Sequence, residues 1–115
     1  MAKRVEGTVQ IANDVLADLA GYAALECYGI VGMASPTIRD GVAQMLSRDK
    51  LRKGVHIASD ADAVRVDLFV IIEHGTNITE VSHNLANRVR YVLTTMGDVK
   101  VSEVEVHVQG VKVRQ

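Results

Sequence analysis

Cysteine, proline and aromatic residues are scarce in this sequence, and each scarcity excludes a class of protein. Cys27 is the single cysteine, so the chain cannot form an internal disulfide. A membrane-spanning helix needs about 20 apolar residues, and the longest continuous apolar run here, residues 68–72, is far shorter. No long apolar segment of an export signal follows the first residues. We therefore expect a cytoplasmic protein that does not insert directly into a membrane.

The composition suits one small folded domain. Apolar residues make up 48% of the 115 residues while aromatics make up only 3%, so aliphatic side chains and alanine must fill the core. We expect residues 1–115 to form a single domain. The formal net charge of -1 provides no global field that would attract a polyanion, so a charged partner would have to meet a local patch.

Local patterns in the first half predict a strand, a helix and a short strand, in that order. Residues 5–11 alternate loosely and favour a strand, and Asn13 is a good N-cap for a helix that follows it. Gly29 is the expected left-handed stop of this helix, and residues 30–34 favour a short strand. Residues 37–53 combine helical spacing with Gly41, which indicates a loose short helix or lid.

Patterns in the second half predict a hairpin, a helix and a last strand. Residues 53–57 and 64–72 read as antiparallel strands joined by a turn at residues 60–62, and the second strand loses its polar alternation, which is typical of a central buried strand. Asn77 or Thr79 should cap the second helix, and Gly97 should end it. In the last strand the apolar face flips after Gly110, which predicts a bulge there.

Together these elements predict an α+β fold of two layers, with the order β-α-β-(short α)-β-β-α-β. Two main helices would cover one face of a mixed, mainly antiparallel sheet. A ferredoxin-like topology is the nearest simple arrangement.

Histidines are the first candidates for metal binding or catalysis. Glu80 and His83 have the i, i+3 spacing of helical metal ligands, but the sequence has no second such pair. His56 and His107 fall at solvent-facing positions of predicted strands, and His74 follows the end of one. Because a metal site needs three or four converging ligands, we interpret the histidines as surface residues and expect neither a metal nor a cofactor.

Catalytic patterns are also missing from the sequence. Cys27 falls near the C-terminal end of the first predicted helix, where the partial negative charge of the helix opposes thiolate formation, so we interpret it as a small buried apolar residue. No nucleophile, base and metal ligand occur at catalytic spacing, and no glycine-rich nucleotide motif is present. We therefore expect no catalytic residue and no enzymatic activity.

Arg48, Lys50, Arg52 and Lys53 form the only concentration of basic residues. This segment is the candidate patch for a charged partner such as phosphate, although a solvated loop before a strand has the same composition. Nucleic-acid-binding sheets pair such charge with several stacking aromatics, whereas the predicted strands here offer only Phe69. We expect no nucleic-acid partner.

Four blocks of sequence resemble the bacterial alkaline shock protein family. They are GIVGM (residues 29–33), KGVHI (53–57), EHGTNITEV (73–81) and VKVSEVEVHVQGV (99–111), and with their spacing they span nearly the whole chain. The resemblance implies a cytoplasmic, non-enzymatic protein of the cell-envelope stress response that self-associates, and that in some members is held near the membrane by a separate anchoring protein. It implies no catalytic residues.

Two function classes remain open at this point. The first is a structural or protein-interaction module of the alkaline shock type, which would act as an oligomer or through a membrane-anchored partner protein. The alternative is a ligand-sensing regulatory domain of ferredoxin-like shape, with a small molecule bound between residues 37–53 and the sheet.

Overall fold

The computed structural model describes residues 6–38, 41, 44–60 and 62–113, which form two helices packed on a four-stranded sheet. The helices are α1 (Glu6–Leu25) and α2 (Ile78–Thr95). The strands are β1 (Ile30–Met33), β2 (Val55–Asp60), β3 (Ala63–Glu73) and β4 (Lys100–Lys112), and a 3₁₀ helix (Arg48–Gly54) precedes β2. This arrangement confirms the predicted α+β class.

Strand β3 is the centre of the sheet. The predicted hairpin is confirmed, because β2 pairs antiparallel with the first half of β3, from Ala63 to Leu68. Strand β1 pairs antiparallel with the last part of β3, and β4 pairs parallel with β3 along its whole length. The short strands β1 and β2 therefore share one edge of β3 while β4 occupies the other. The ferredoxin-like topology stays a prediction.

The core lies between the helices and one face of the sheet. Alternate residues of β3 face the helices and are buried, namely Val64, Val66, Leu68, Val70 and Ile72. They meet small residues of α1, which include Ala20 and Ala24, and the apolar stripe of α2, which is centred on Leu85. Because these side chains are short and aliphatic, the layers approach closely without aromatic residues.

Two bulges keep β4 in step with β3. The register skips Ser102 between the pairs Val64–Val101 and Arg65–Glu103, and it skips Gln109 between Val70–Val108 and Ile71–Gly110. Each extra residue returns the valines of β4 to the helix-facing side. The bulge predicted beside Gly110 is confirmed.

The predicted cap of α2 at Asn77 is confirmed, whereas the predicted end glycines lie beyond the helices: α1 ends at Leu25, before Gly29, and α2 ends at Thr95, before Gly97. Gly29 follows α1 with φ of 89°, in the left-handed region that glycine tolerates best. The Asn77 side chain caps α2 by accepting a 3.0 Å hydrogen bond from the backbone N–H of Glu80.

Two predictions for the first half are wrong. Residues 6–11 belong to α1 and are not a strand, so Asn13 lies inside the helix instead of capping it. The part of residues 37–53 that the structure describes forms no α-helix: Met45 bridges to Ala34, and the 3₁₀ helix begins at Arg48. Residues 39, 40, 42 and 43 of this segment lie outside the described residues.

Candidate functional site

Titratable side chains gather on the face of the sheet opposite the helices. The β3–β4 register places Arg65 beside Glu103, Asp67 beside Glu105 and Phe69 beside His107. These residues alternate with the buried ones, so they share the outer face. We refer to this set as the open-face cluster: Arg65, Asp67, Phe69, Glu103, Glu105 and His107.

Arg65 is the cation of the open-face cluster. Its Nη2 lies 2.8 Å from Glu105 Oε1 and 3.8 Å from Asp67 Oδ1, and its Nη1 lies 3.8 Å from Glu103 Oε1. One guanidinium thus meets three carboxylates. The cluster therefore carries net negative charge.

His107 is held from two sides. Its ring stacks on Phe69, with centroids 4.6 Å apart and planes 12° apart. Its Nε2 lies 3.1 Å from Asp67 Oδ1, within hydrogen-bond distance. The Asp67 side chain is 15% exposed and the His107 side chain is 37% exposed, so the pair lies on the open surface of the sheet and not in a deep cavity.

Three potential metal-ligand atoms converge in this cluster. Each of Asp67, Glu105 and His107 contributes one ligand atom, and the three atoms all lie within 4.8 Å of one another. Sequence reasoning placed His107 at a solvent-facing position but did not associate it with Asp67, because 40 positions separate them. The missing signal was the register between β3 and β4.

The predicted basic patch is partly neutralised. Arg52 donates two hydrogen bonds to the Asp18 carboxylate, at 3.1 and 2.9 Å, and lies 3.2 Å from Asp14. The hydrogen bonding of Arg52 to the Asp18 carboxylate, in which Arg52 is the donor, is the main reason that the pKa of Arg52 is raised. Lys50 and Lys53 are exposed, and Arg48 begins the 3₁₀ helix. Binding of a charged partner at this patch stays a prediction.

An open groove of about 350 Å³ lies between α1 and the 3₁₀ helix. Its walls include Asp18 and Tyr22 on one side and Asp49 and Lys50 on the other. The groove mixes both signs of charge and is open to solvent. Residues 44–46 do not line this groove but pack against β1. The Leu46 backbone N–H donates a hydrogen bond to the Met33 carbonyl oxygen, and the Met45 side chain lies against Gly32.

Cys27 has the environment of a weakly reactive thiol. It is half-buried and lies 3.6 Å from the Ala23 carbonyl oxygen. Burial raises the pKa of the Cys27 thiol, and the opposing effect of Arg88 is smaller. This agrees with the interpretation of Cys27 as a packing residue.

Strand β4 leaves one edge open. Within the part of the chain that the structure describes, this 13-residue strand pairs only with β3. Val111 and Val113, near its end, are 47% and 67% exposed. A long edge strand with exposed apolar residues offers backbone donors and acceptors to another strand.

Comparison with known proteins identifies relatives over nearly the full chain. Residues 1–113 match the model of the alkaline shock protein 23 family. The description of this family is a cell envelope-related function. The chain is 39% identical to the uncharacterized protein YloU of Bacillus subtilis, over 93% of this chain and 90% of that protein. It is 34% identical to the uncharacterized protein Spy1614 of Streptococcus pyogenes, over 94% and 90% of the respective chains.

Solved structures and the helices themselves were also considered for further relatives and for membrane spans. No solved structure matches the chain significantly. Among the described residues, neither helix is both long enough and apolar enough to span a membrane.

Proposed function

We propose that this chain, which belongs to the alkaline shock protein 23 family, is a non-enzymatic structural or protein-interaction module of the envelope stress response. The function of the family relates to the cell envelope. The open edge of β4 is the single observation that carries the proposal. The open-face cluster supports it too, because its titratable groups converge on an open face rather than in an enclosed pocket of catalytic type.

Self-association is the mode of action that we propose, and β4 is self-complementary in a way that supports it. In an antiparallel pair of two β4 strands centred on Val106, Val104 lies opposite Val108 of the second copy, and Val101 lies opposite Val111. In the same register Glu105 lies opposite His107 of the second copy, so no two carboxylates of β4 face each other. Pairs of this kind stabilise neighbouring strands, whereas facing like charges destabilise them.

A membrane-anchored partner protein is the second proposed contact. It would hold a cytoplasmic protein close to the membrane, in accord with the family's relation to the cell envelope. Crosslinking in intact cells followed by detergent extraction should recover the chain with one membrane protein. Recovery of the chain alone would contradict this part of the proposal.

Sedimentation velocity tests the self-association. The wild-type protein should form dimers or larger assemblies as its concentration rises from low to high micromolar. Val111→Lys should reduce assembly, because a lysine on an open edge disfavours strand pairing. Tyr91→Lys is the matched control, since Tyr91 is 62% exposed but lies on α2. A monomeric wild type throughout this range, or equal assembly by Val111→Lys, would contradict the proposal.

A further inference from the structure

The open-face cluster holds the elements of a cation site. Two carboxylates and one imidazole, from Asp67, Glu105 and His107, present ligand atoms within 4.8 Å of one another. Carboxylate and imidazole are ligands that divalent transition metals accept, and Zn²⁺ binds both at about 2.0–2.2 Å. Two atoms bound to one such ion lie at most about 4.4 Å apart. Small side-chain rotations would therefore bring all three atoms to bonding distance.

Strand pairing and a ring stack position these ligands. Asp67 and Glu105 are direct partners in the β3–β4 ladder, and Phe69 and His107 are the next outward-facing pair. The stack of His107 on Phe69 fixes the ring so that Nε2 points toward Asp67. Ligands that are oriented before an ion arrives lose little conformational freedom on binding.

Charge favours a cation at this position as well. Arg65 compensates only one of the three nearby carboxylates, those of Asp67, Glu103 and Glu105. Its Nη2 lies 2.8 Å from Glu105 and 3.8 Å from Asp67, so it reaches two of the three candidate ligands. The guanidinium therefore competes with any metal ion for the same oxygen atoms.

We propose that Asp67, Glu105 and His107 form a surface binding site for a divalent transition-metal ion, in which Arg65 acts as an internal competitor. This differs from the sequence-based expectation of no metal site. The site has three protein ligands, so water or a ligand atom from another molecule completes the coordination of the ion. The arginine makes metal binding weaker than the ligand set alone would allow.

Calorimetric titration of the full chain with Zn²⁺ tests this site. The wild type should bind one ion per chain. Asp67→Asn keeps the shape of the side chain and should weaken binding by about tenfold or more, as should His107→Ala. Arg65→Gln should strengthen binding by about fivefold or more, because it removes a positive charge next to the ion.

His83→Ala is the matched control, since His83 is an exposed histidine on α2. This variant should bind Zn²⁺ like the wild type, and circular dichroism should show that all four variants are folded. The proposal is overturned if the wild type shows no saturable binding up to millimolar Zn²⁺, or if folded Asp67→Asn binds like the wild type. It is also overturned if Arg65→Gln does not bind more tightly.

Discussion

Gly29 offers a sharp test of the packing between the α1–β1 turn and α2. A Cβ atom at this position would lie 2.7 Å from Val81 Cγ2 and 3.2 Å from Val81 Cγ1. The backbone has φ of 89°, in the left-handed region. Gly29→Ala therefore combines two costs, one from the backbone and one from a clash with α2.

Gly75→Ala isolates the first of these costs. Gly75 has a similar φ of 92°, but a Cβ there would meet nothing within 4 Å. The left-handed conformation should cost alanine about 1–2 kcal/mol, part of which is offset because alanine restricts the unfolded chain. Overpacking against Val81 should add about 1–3 kcal/mol at Gly29. We expect a loss of about 1 kcal/mol for Gly75→Ala and about 2–4 kcal/mol for Gly29→Ala.

Urea unfolding followed by circular dichroism measures both free energies. In a Val81→Ala background, both clashing γ carbons are absent, so Gly29→Ala should cost no more than Gly75→Ala does in the wild type. This double-mutant cycle isolates the contact between residues 29 and 81. The reasoning is refuted if Gly29→Ala and Gly75→Ala are equally destabilising, or if removal of the two Val81 γ carbons leaves the cost of Gly29→Ala unchanged.

Three further predictions concern α2 and the thiol. Asn77→Ala should lower the unfolding free energy by about 1 kcal/mol, because it leaves the Glu80 N–H without its cap, whereas Asn84→Ala at an exposed position within α2 should have little effect in the same urea assay. Leu85→Ala should cost about 2–5 kcal/mol in that assay, since Leu85 is fully buried, and a cost below about 1 kcal/mol would contradict the assigned core. Cys27 should react with iodoacetamide at neutral pH more slowly than a free thiol, because its raised pKa reduces the thiolate fraction, and an equal rate would contradict the burial.

The second half of the fold was predictable because its signals are local and agree with one another. Period-two alternation and a polar turn define the β2–β3 hairpin. Asn77 supplies a cap at the start of a strongly amphipathic helix. The flip of the valines at Gly110 required a bulge, and the ladder contains one at Gln109.

The first strand was predicted wrongly because a short pattern fits two periods. Val9 and Ile11 alternate, but Val9, Ala12 and Leu16 also recur at steps of three and four, which suits a helix equally well. Asn13 is tolerated inside a helix, so its presence does not prove an N-terminus. Length decides in favour of the helix, since the pattern continues to Leu25.

The open-face cluster could not be predicted from local patterns, since it depends on the register between β3 and β4. Alternation with the valines of β4 places Glu103, Glu105 and His107 on the outer face, but the bulge at Ser102 sets which residues of β3 they lie beside. A bulge in a strand is visible in the sequence only where its apolar pattern flips. The flip between Val101 and Val104 indicates the bulge at Ser102, but it does not indicate which residues of β3 lie beside β4.

Hydrogen exchange of the β4 amides at low and high protein concentration tests most directly whether this edge is the working surface. The account predicts that backbone N–H groups on the open edge of residues 103–108 gain protection at high concentration, while those of α2 do not change, and that Val111→Lys abolishes the gain. Exchange in β4 that is independent of concentration, in a sample that sedimentation shows to be assembled, would contradict it.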